Sequence, residues 1–110
     1  MTLVVLVSAV ALLTGTMHGT VVRSPTAPVC RVGTPCSAPA KQVTLSFTRN
    51  GTTRSTRTDD RGRYSIRLAA GAYAVKTNQR PFGTVPQPRT VRVRASRSTR
   101  IDFVIDTGIR

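Results

Sequence analysis

Four carboxylates, one histidine and two cysteines are the side chains from which a catalytic set or a metal site in this chain would draw its acids, its imidazole and its thiol ligands. The carboxylates are Asp59, Asp60, Asp102 and Asp106, with no glutamate beside them. A Ser–His–Asp or Cys–His set needs an imidazole next to its nucleophile. The single histidine, His18, lies in an N-terminal stretch expected to be removed. Asp59 and Asp60 stand in a turn sequence, where aspartate is favoured because it bonds nearby backbone. Asp102 and Asp106 alternate with apolar residues beside arginines, surroundings that keep a carboxylate ionised and not proton-donating. No catalytic residue and no cofactor are expected. Two cysteines and a remote histidine do not complete a tetrahedral zinc set. Asp59-Asp60 alone falls short of the ~6–8 oxygens that calcium takes.

The cysteines suit a different role. Cys30 and Cys36 form an even pair in PVCRVGTPCSAP, and in an exported chain such a pair reads as a disulfide, two free thiols being the alternative. Export is suggested by Leu3–Leu13 (LVVLVSAVALL), apolar apart from Ser8 and followed by Thr14-Gly15-Thr16. The run fits the ~7–15 residues of a signal-peptide core and is short of a membrane span. Small residues suited to cleavage occur at Ala9, Ala11, Gly15 and Gly19, while Met1-Thr2 carries no basic residue. A misplaced start or an ordinary buried strand would explain that lack. The expected division is a signal segment at 1–18 and one domain at 19–110, located outside the cytoplasm.

Charge sets the class of partner. Seventeen Lys and Arg face four Asp, a formal +13, and every basic residue lies at Arg23 or later. Such a field favours nucleic acid, acidic glycans, wall polymers or anionic lipid head groups. Solubility in an arginine-biased composition explains it equally well.

The elements that must hold these residues are strands. Val43, Leu45 and Phe47 alternate with polar neighbours, as do Tyr64, Ile66 and Leu68, then Tyr73 and Val75, Val91 and Val93, and Ile101, Phe103 and Ile105. This is the period of half-buried strands with one wet face. Asn50-Gly51 signals a hairpin, and further turns are read at Asp59–Gly62, Ala69–Gly71 and Ala95–Ser98. Seven strands are expected: 19–23, 42–49, 52–58, 63–68, 72–77, 90–95 and 100–106, in a small antiparallel Greek-key sandwich. Parity suggests hairpins with Leu68 opposite Tyr73, Ile66 opposite Val75, and Val93 opposite Ile101 or Phe103. The last would set Asp102 opposite Arg92 or Arg94. Thr52–Thr58 has no apolar residue and belongs at a sheet edge. Proline-rich stretches at 24–41 and 78–88 read as surface loops.

Thr58-Asp59, Gly62, Tyr64, Ile66, Leu68, Gly71 and Tyr73 together resemble the central motif of the carboxypeptidase regulatory-like module, a transthyretin-like (prealbumin-like) sandwich related to the CnaB repeats of surface adhesins. Gly19-Thr20-Val21-Val22 is similar to that family's first strand and Ile101–Ile105 to its last. The resemblance implies a non-catalytic spacer, folding aid or contact domain. CnaB relatives often carry a Lys–Asn or Lys–Asp amide bond. Here Lys41 and Asp102 or Asp106 could supply its ends, but no glutamate is available to assist, and these aspartates point to water by parity.

The expected function is a non-enzymatic extracytoplasmic structural, adhesive or binding module. The alternative is a dedicated polyanion binder that uses arginine-rich strand faces. Its candidate residues are Arg92, Arg94 and Arg100, taken as neighbours across a hairpin, and Arg63 with Arg67 on another strand. Arg49, Arg54 and Arg57 crowd the edge hairpin. Single-strand nucleic-acid binders stack bases on exposed aromatics, and Phe82 is the one aromatic free for that, so base-specific recognition is not expected. An anionic polymer or another cell-surface protein is the expected partner. No motif names a ligand or an oligomeric state.

Overall fold

Wherever apolar and polar residues alternate in this chain, the backbone is extended. The computed structural model describes residues 13–27, 29, 33, 36–80 and 84–109. Among them run nine strands and no helix: β1 Thr14–Ser24, β2 Ala38–Pro39, β3 Thr44–Arg49, β4 Thr52–Arg57, β5 Arg63–Ala69, β6 Gly71–Thr77, β7 Thr90–Val93, β8 Ser98–Arg100 and β9 Phe103–Asp106. The expected all-β sandwich is the fold. It has nine strands in place of seven, because a two-residue β2 forms in the proline-rich stretch and the last strand is split at Ile101-Asp102.

One sheet has the order β4-β3-β6-β7 and is antiparallel. The other is built around β1, which β5 and β8 flank over Thr14–Thr20 and which β2 and β9 join farther along. β8 and β9 run parallel to β1, so the expected all-antiparallel sandwich is corrected to one with a mixed sheet.

Both hairpin registers read from parity are also corrected. β5 pairs with β1 and β6 with β3 and β7, so Leu68 is not opposite Tyr73 in a ladder, nor Ile66 opposite Val75. Likewise Val93 pairs with Gly71 while Phe103 lies beside Val21 in the other sheet, which separates Asp102 from Arg92 and Arg94. Parity requires only that these side chains reach the same core. Two strands facing each other across a sandwich meet that condition as well as two paired strands do.

The first strand starts at Thr14, not at Gly19 as the sequence suggested. Thr14 to Thr20 pair residue by residue with Ala69 to Arg63, and Met17 is fully buried. A domain beginning at Gly19 would lack that half of its central strand, and His18 belongs to the fold. A Cβ on Gly15 would collide with the Arg94 carbonyl, so glycine is required where β1 passes beneath the β7–β8 crossover. Residues 1–12, the remainder of the expected leader, lie outside the described residues.

The core lies between the sheets. Phe47, Tyr64 and Phe103 form its centre, with ring centroids 5.5 to 6.3 Å apart. Met17, Val21, Leu45, Leu68, Val75 and Ile105 close around them. Each such side chain contributes about 1.5–3 kcal/mol of burial free energy. The Asn50-Gly51 hairpin forms as expected, with φ of 49° and 78° and Arg49 paired to Thr52. β4, exposed along most of its length, sits at the sheet edge as expected.

Candidate functional site

The motif residues at 58–73 hold the chain together. Thr58 is buried; its hydroxyl donates to the Ala40 carbonyl at 2.5 Å and accepts from the Val43 N–H at 2.8 Å. Asp59 Oδ1 accepts from the N–H groups of Arg63 and Arg61 at 2.9 and 2.8 Å, and Arg63 Nε lies 3.4 Å from its other oxygen. These donors, the Arg63 N–H foremost, hold the Asp59 carboxyl below the usual carboxylate range. Gly62 has φ +76° and sits where β1, β2 and β5 converge; an added Cβ would lie 2.5 Å from the Val21 carbonyl. The Tyr64 and Tyr73 hydroxyls donate to the carbonyls of Ile101 and Ala69, each at 2.6 Å. Gly71 opens β6 opposite Val93.

A surface of another kind covers the outside of the β5–β1–β8 sheet. Alternation turns Thr16, His18 and Thr20 of β1 outward, since Met17 and Val21 go inward. Register then fixes their neighbours. Arg63, Ser65 and Arg67 stand opposite Thr20, His18 and Thr16 on one side, and Ser98 and Arg100 opposite Thr16 and His18 on the other. Guanidinium groups thus flank a floor of hydroxyls and one imidazole. Two shallow depressions interrupt it. One of about 310 Å³ is bordered by Thr14, Thr16, Arg67, Ser96, Arg97 and Ser98. The other, about 150 Å³, is bordered by His18, Thr20, Arg63, Tyr64 and Arg100. Arginine forks and hydroxyl donors suit phosphate, sulfate or carboxylate oxygens.

Of the five candidate arginines, Arg63, Arg67 and Arg100 come together on this face. Arg92 is on β7 and Arg94 just beyond it, in the other sheet, so the expected Arg92–Arg94–Arg100 cluster does not form. Arg97 joins the face and was not singled out from the sequence, because it lies in a turn where alternation gives no orientation. Asp102 is engaged there: its Oδ1 accepts from the Thr20 N–H at 2.9 Å and from Arg100 Nε at 3.3 Å. Those contacts, the Thr20 N–H first, hold its carboxyl below the usual range.

The expected Cys30–Cys36 bond falls at Cys30, outside the described residues. The Cys36 carbonyl is fastened near the end of β1, accepting from the Thr26 N–H at 2.9 Å and the Ser24 hydroxyl at 3.3 Å. Phe82 also lies outside the described residues. Among those described, no three or more His, Cys, Asp or Glu side chains gather as a metal site, and no helix is long and apolar enough to cross a membrane.

Residues 16–106 match the family described as the carboxypeptidase regulatory-like domain. No curated protein matches the chain in sequence. Among solved structures, the minor pilin GBS52 of Streptococcus agalactiae is similar with a TM-score of 0.56 and 16% identity, over 86% of this chain and 45% of that one. The TIE protein of Bacillus anthracis is similar with a TM-score of 0.54 and 15% identity, over 84% of this chain and 16% of that one. At such identities the likeness shows the sandwich fold alone, and the chain spans less than half of either protein.

Proposed function

The chain belongs to the carboxypeptidase regulatory-like domain family, and from that premise we propose that it is a non-enzymatic structural or adhesive module working outside the cytoplasm. One observation carries the reading: three of the four carboxylates, Asp59, Asp102 and Asp106, accept from backbone N–H groups of turns and strand ends. Thr58, Asp59, Tyr64, Tyr73 and Asp102 each bond main-chain N–H or C=O groups of turns and strand ends. A carboxylate held ionised by several donors is a poor proton donor or acceptor near neutrality. The apolar Leu3–Leu13 run supports export. The resemblance to a pilin subunit is in keeping with a surface role. Protease treatment of intact producing cells tests this: the domain should be accessible, and retention of the whole pool in the cytoplasm would overturn the reading.

A second reading, contact with a wall polymer, acidic glycan or other polyanion, is favoured by the hydroxyl and guanidinium face of β5–β1–β8. Binding through it should weaken steeply with salt. Arg63→Ala with Arg67→Ala should reduce binding and flatten the salt slope, whereas Arg92→Ala with Arg94→Ala should change little. Equal losses from both pairs would make the charge a general surface property.

A further inference from the structure

Most edges of the two sheets are short or taken up by the chain itself. Along the side of β5 turned away from β1, the Arg63 N–H and carbonyl both bond Asp59. Farther along, the Ser65 carbonyl accepts from the Thr56 hydroxyl at 3.1 Å and the Ala69 carbonyl from the Tyr73 hydroxyl at 2.6 Å. β9 is bridged by Gln87, which exchanges both backbone hydrogen bonds with Val104. β7 is only four residues long. β4 has no such cover.

Its register fixes which groups are open. The Thr58 N–H donates to the Val43 carbonyl at 2.8 Å, so Thr44 and Arg57 form a pair with no hydrogen bond between them. Antiparallel pairs alternate in this respect, and the bonded ones are Leu45–Thr56, Phe47–Arg54 and Arg49–Thr52. The N–H and C=O groups of Thr53, Ser55 and Arg57 therefore point away from β3. All three residues are exposed, and among the described residues nothing bonds these groups. The same alternation turns Arg49, Thr52, Arg54 and Thr56 to the core side of the sheet, because Arg54 pairs with Phe47. There Arg49 and Arg54 border a depression of about 290 Å³ with Asn50, Thr52, Ala69 and Tyr73. Neither guanidinium has a carboxylate partner among the described residues, whose ion pairs engage Arg63 and Arg100.

We propose that β4 receives an extended acidic segment of a partner protein as a further strand, with a carboxylate of that segment reaching Arg49 and Arg54. A row of alternating donors and acceptors is matched by another peptide backbone. A polyanion would set its oxygens against the carbonyls of Thr53, Ser55 and Arg57. In strand addition the main chain gives affinity and alternate side chains give specificity. The segment should be acidic because residues 49–57 carry Arg49, Arg54 and Arg57 and no carboxylate. A second copy of this chain is disfavoured, since its own β4 brings the same arginines to the contact. Strand addition rests on the adhesive reading above and gives that module a partner; binding by purified protein is measured independently of where the domain works.

The test is titration of the isotope-labelled full chain with a short blocked peptide of alternating threonine and glutamate, followed by amide resonances. At saturation the Thr53, Ser55 and Arg57 amides should shift and exchange with solvent roughly tenfold more slowly. The same peptide N-methylated throughout keeps its charge and should not bind. Ser55→Pro removes one outward N–H at a position where an edge strand tolerates proline. It should abolish binding while circular dichroism shows the domain still folded, and the methylated peptide makes the same discrimination on the unaltered protein. Arg49→Gln with Arg54→Gln should weaken binding roughly fivefold, as for loss of exposed ion pairs. Arg92→Gln with Arg94→Gln, on and beside β7 at the opposite edge of the sheet, should not change it. Binding of the methylated peptide, equal losses from the two arginine pairs, or no shift at Thr53, Ser55 and Arg57 would overturn the proposal. Self-association of the chain that Ser55→Pro abolishes would overturn it in favour of a second copy.

Discussion

The Tyr64 hydroxyl donates to the Ile101 carbonyl at 2.6 Å, joining β5 to the break between β8 and β9. At that break the ladder beside β1 is completed by side chains. The Asp102 carboxylate takes the Thr20 N–H at 2.9 Å, and the Ile101 N–H still reaches the His18 carbonyl at 2.9 Å. A Cβ on Gly19 would collide with the Ile101 carbonyl, so the strands approach closely here only because residue 19 is glycine.

Tyr64→Phe should therefore cost about 1 kcal/mol, the net contribution of a typical hydrogen bond, since this one is only part-buried. Burial, with a smaller contribution from the Asp102 charge, raises the Tyr64 phenol above its ordinary value. Above pH ~10 the unfolded chain then binds fewer protons than the folded one, and stability falls as pH rises. Denaturant melts in alkaline buffer should show this loss in the parent and a shallower one in Tyr64→Phe.

Thr58→Val keeps the shape of the side chain and removes its hydroxyl. The Val43 N–H and the Ala40 carbonyl both lose a buried partner, at roughly 1–3 kcal/mol each. The melting temperature should fall by at least about 10 °C, at roughly 4–8 °C for each kcal/mol. Thr58→Ser, which retains the hydroxyl, should recover most of it.

The position of β1 makes a prediction about boundaries. A chain beginning at Leu13 should melt cooperatively, and one beginning at Gly19 should not, because it lacks the β1 residues that pair with Ser65–Ala69. Met17→Ala in the full chain should cost about 2–5 kcal/mol, as for other large core side chains cut to alanine. Equal stability of the two truncated chains would remove Thr14–His18 from the fold.

Acid should weaken the domain through Asp59 and Asp102. Both carboxyls are held below the usual range by backbone N–H donors and nearby arginine. Their contribution is complete above the unfolded value near pH ~4 and is lost as pH falls through the folded values. Asp59→Asn with Asp102→Asn keeps the oxygen acceptors, so stability below pH ~4 should fall less steeply than in the parent. Parallel acid limbs would contradict this assignment.

In exported protein, Cys30 and Cys36 should resist thiol reagents without prior reduction. Cys30→Ser with Cys36→Ser should still fold, destabilised by about 2 kcal/mol in the chain-entropy account of so short a loop. Two reactive thiols in native protein would exclude the bond.

Alternation was sufficient to find the inward faces: Val43, Leu45 and Phe47, Tyr64, Ile66 and Leu68, and Phe103 with Ile105 are all buried. It carried no information about partners, because Leu68 and Tyr73 reach one core whether they are paired or stacked across it. β1 was half hidden because two of its inward positions, Gly15 and Gly19, are glycine, their side-chain space being filled by the carbonyls of Arg94 and Ile101. The candidate face was legible in part. Arg63 and Arg67 share it by simple parity, whereas Arg100 and Arg97 reach it through a parallel pairing of chain segments some eighty residues apart, which no local pattern announces.

The parallel alignment of β1 with β8 and β9 also fixes a line of force. β1 starts at one end of the sandwich and β9 finishes at the other, with Ser24 paired to Asp106. Tension applied between the start of β1 and the end of β9 slides neighbouring strands along each other. Their hydrogen bonds are loaded together, where a hairpin pulled from its open end would lose them one at a time. A pull in that direction would load β1, β8 and β9 in shear while the β4-β3-β6-β7 sheet stood aside.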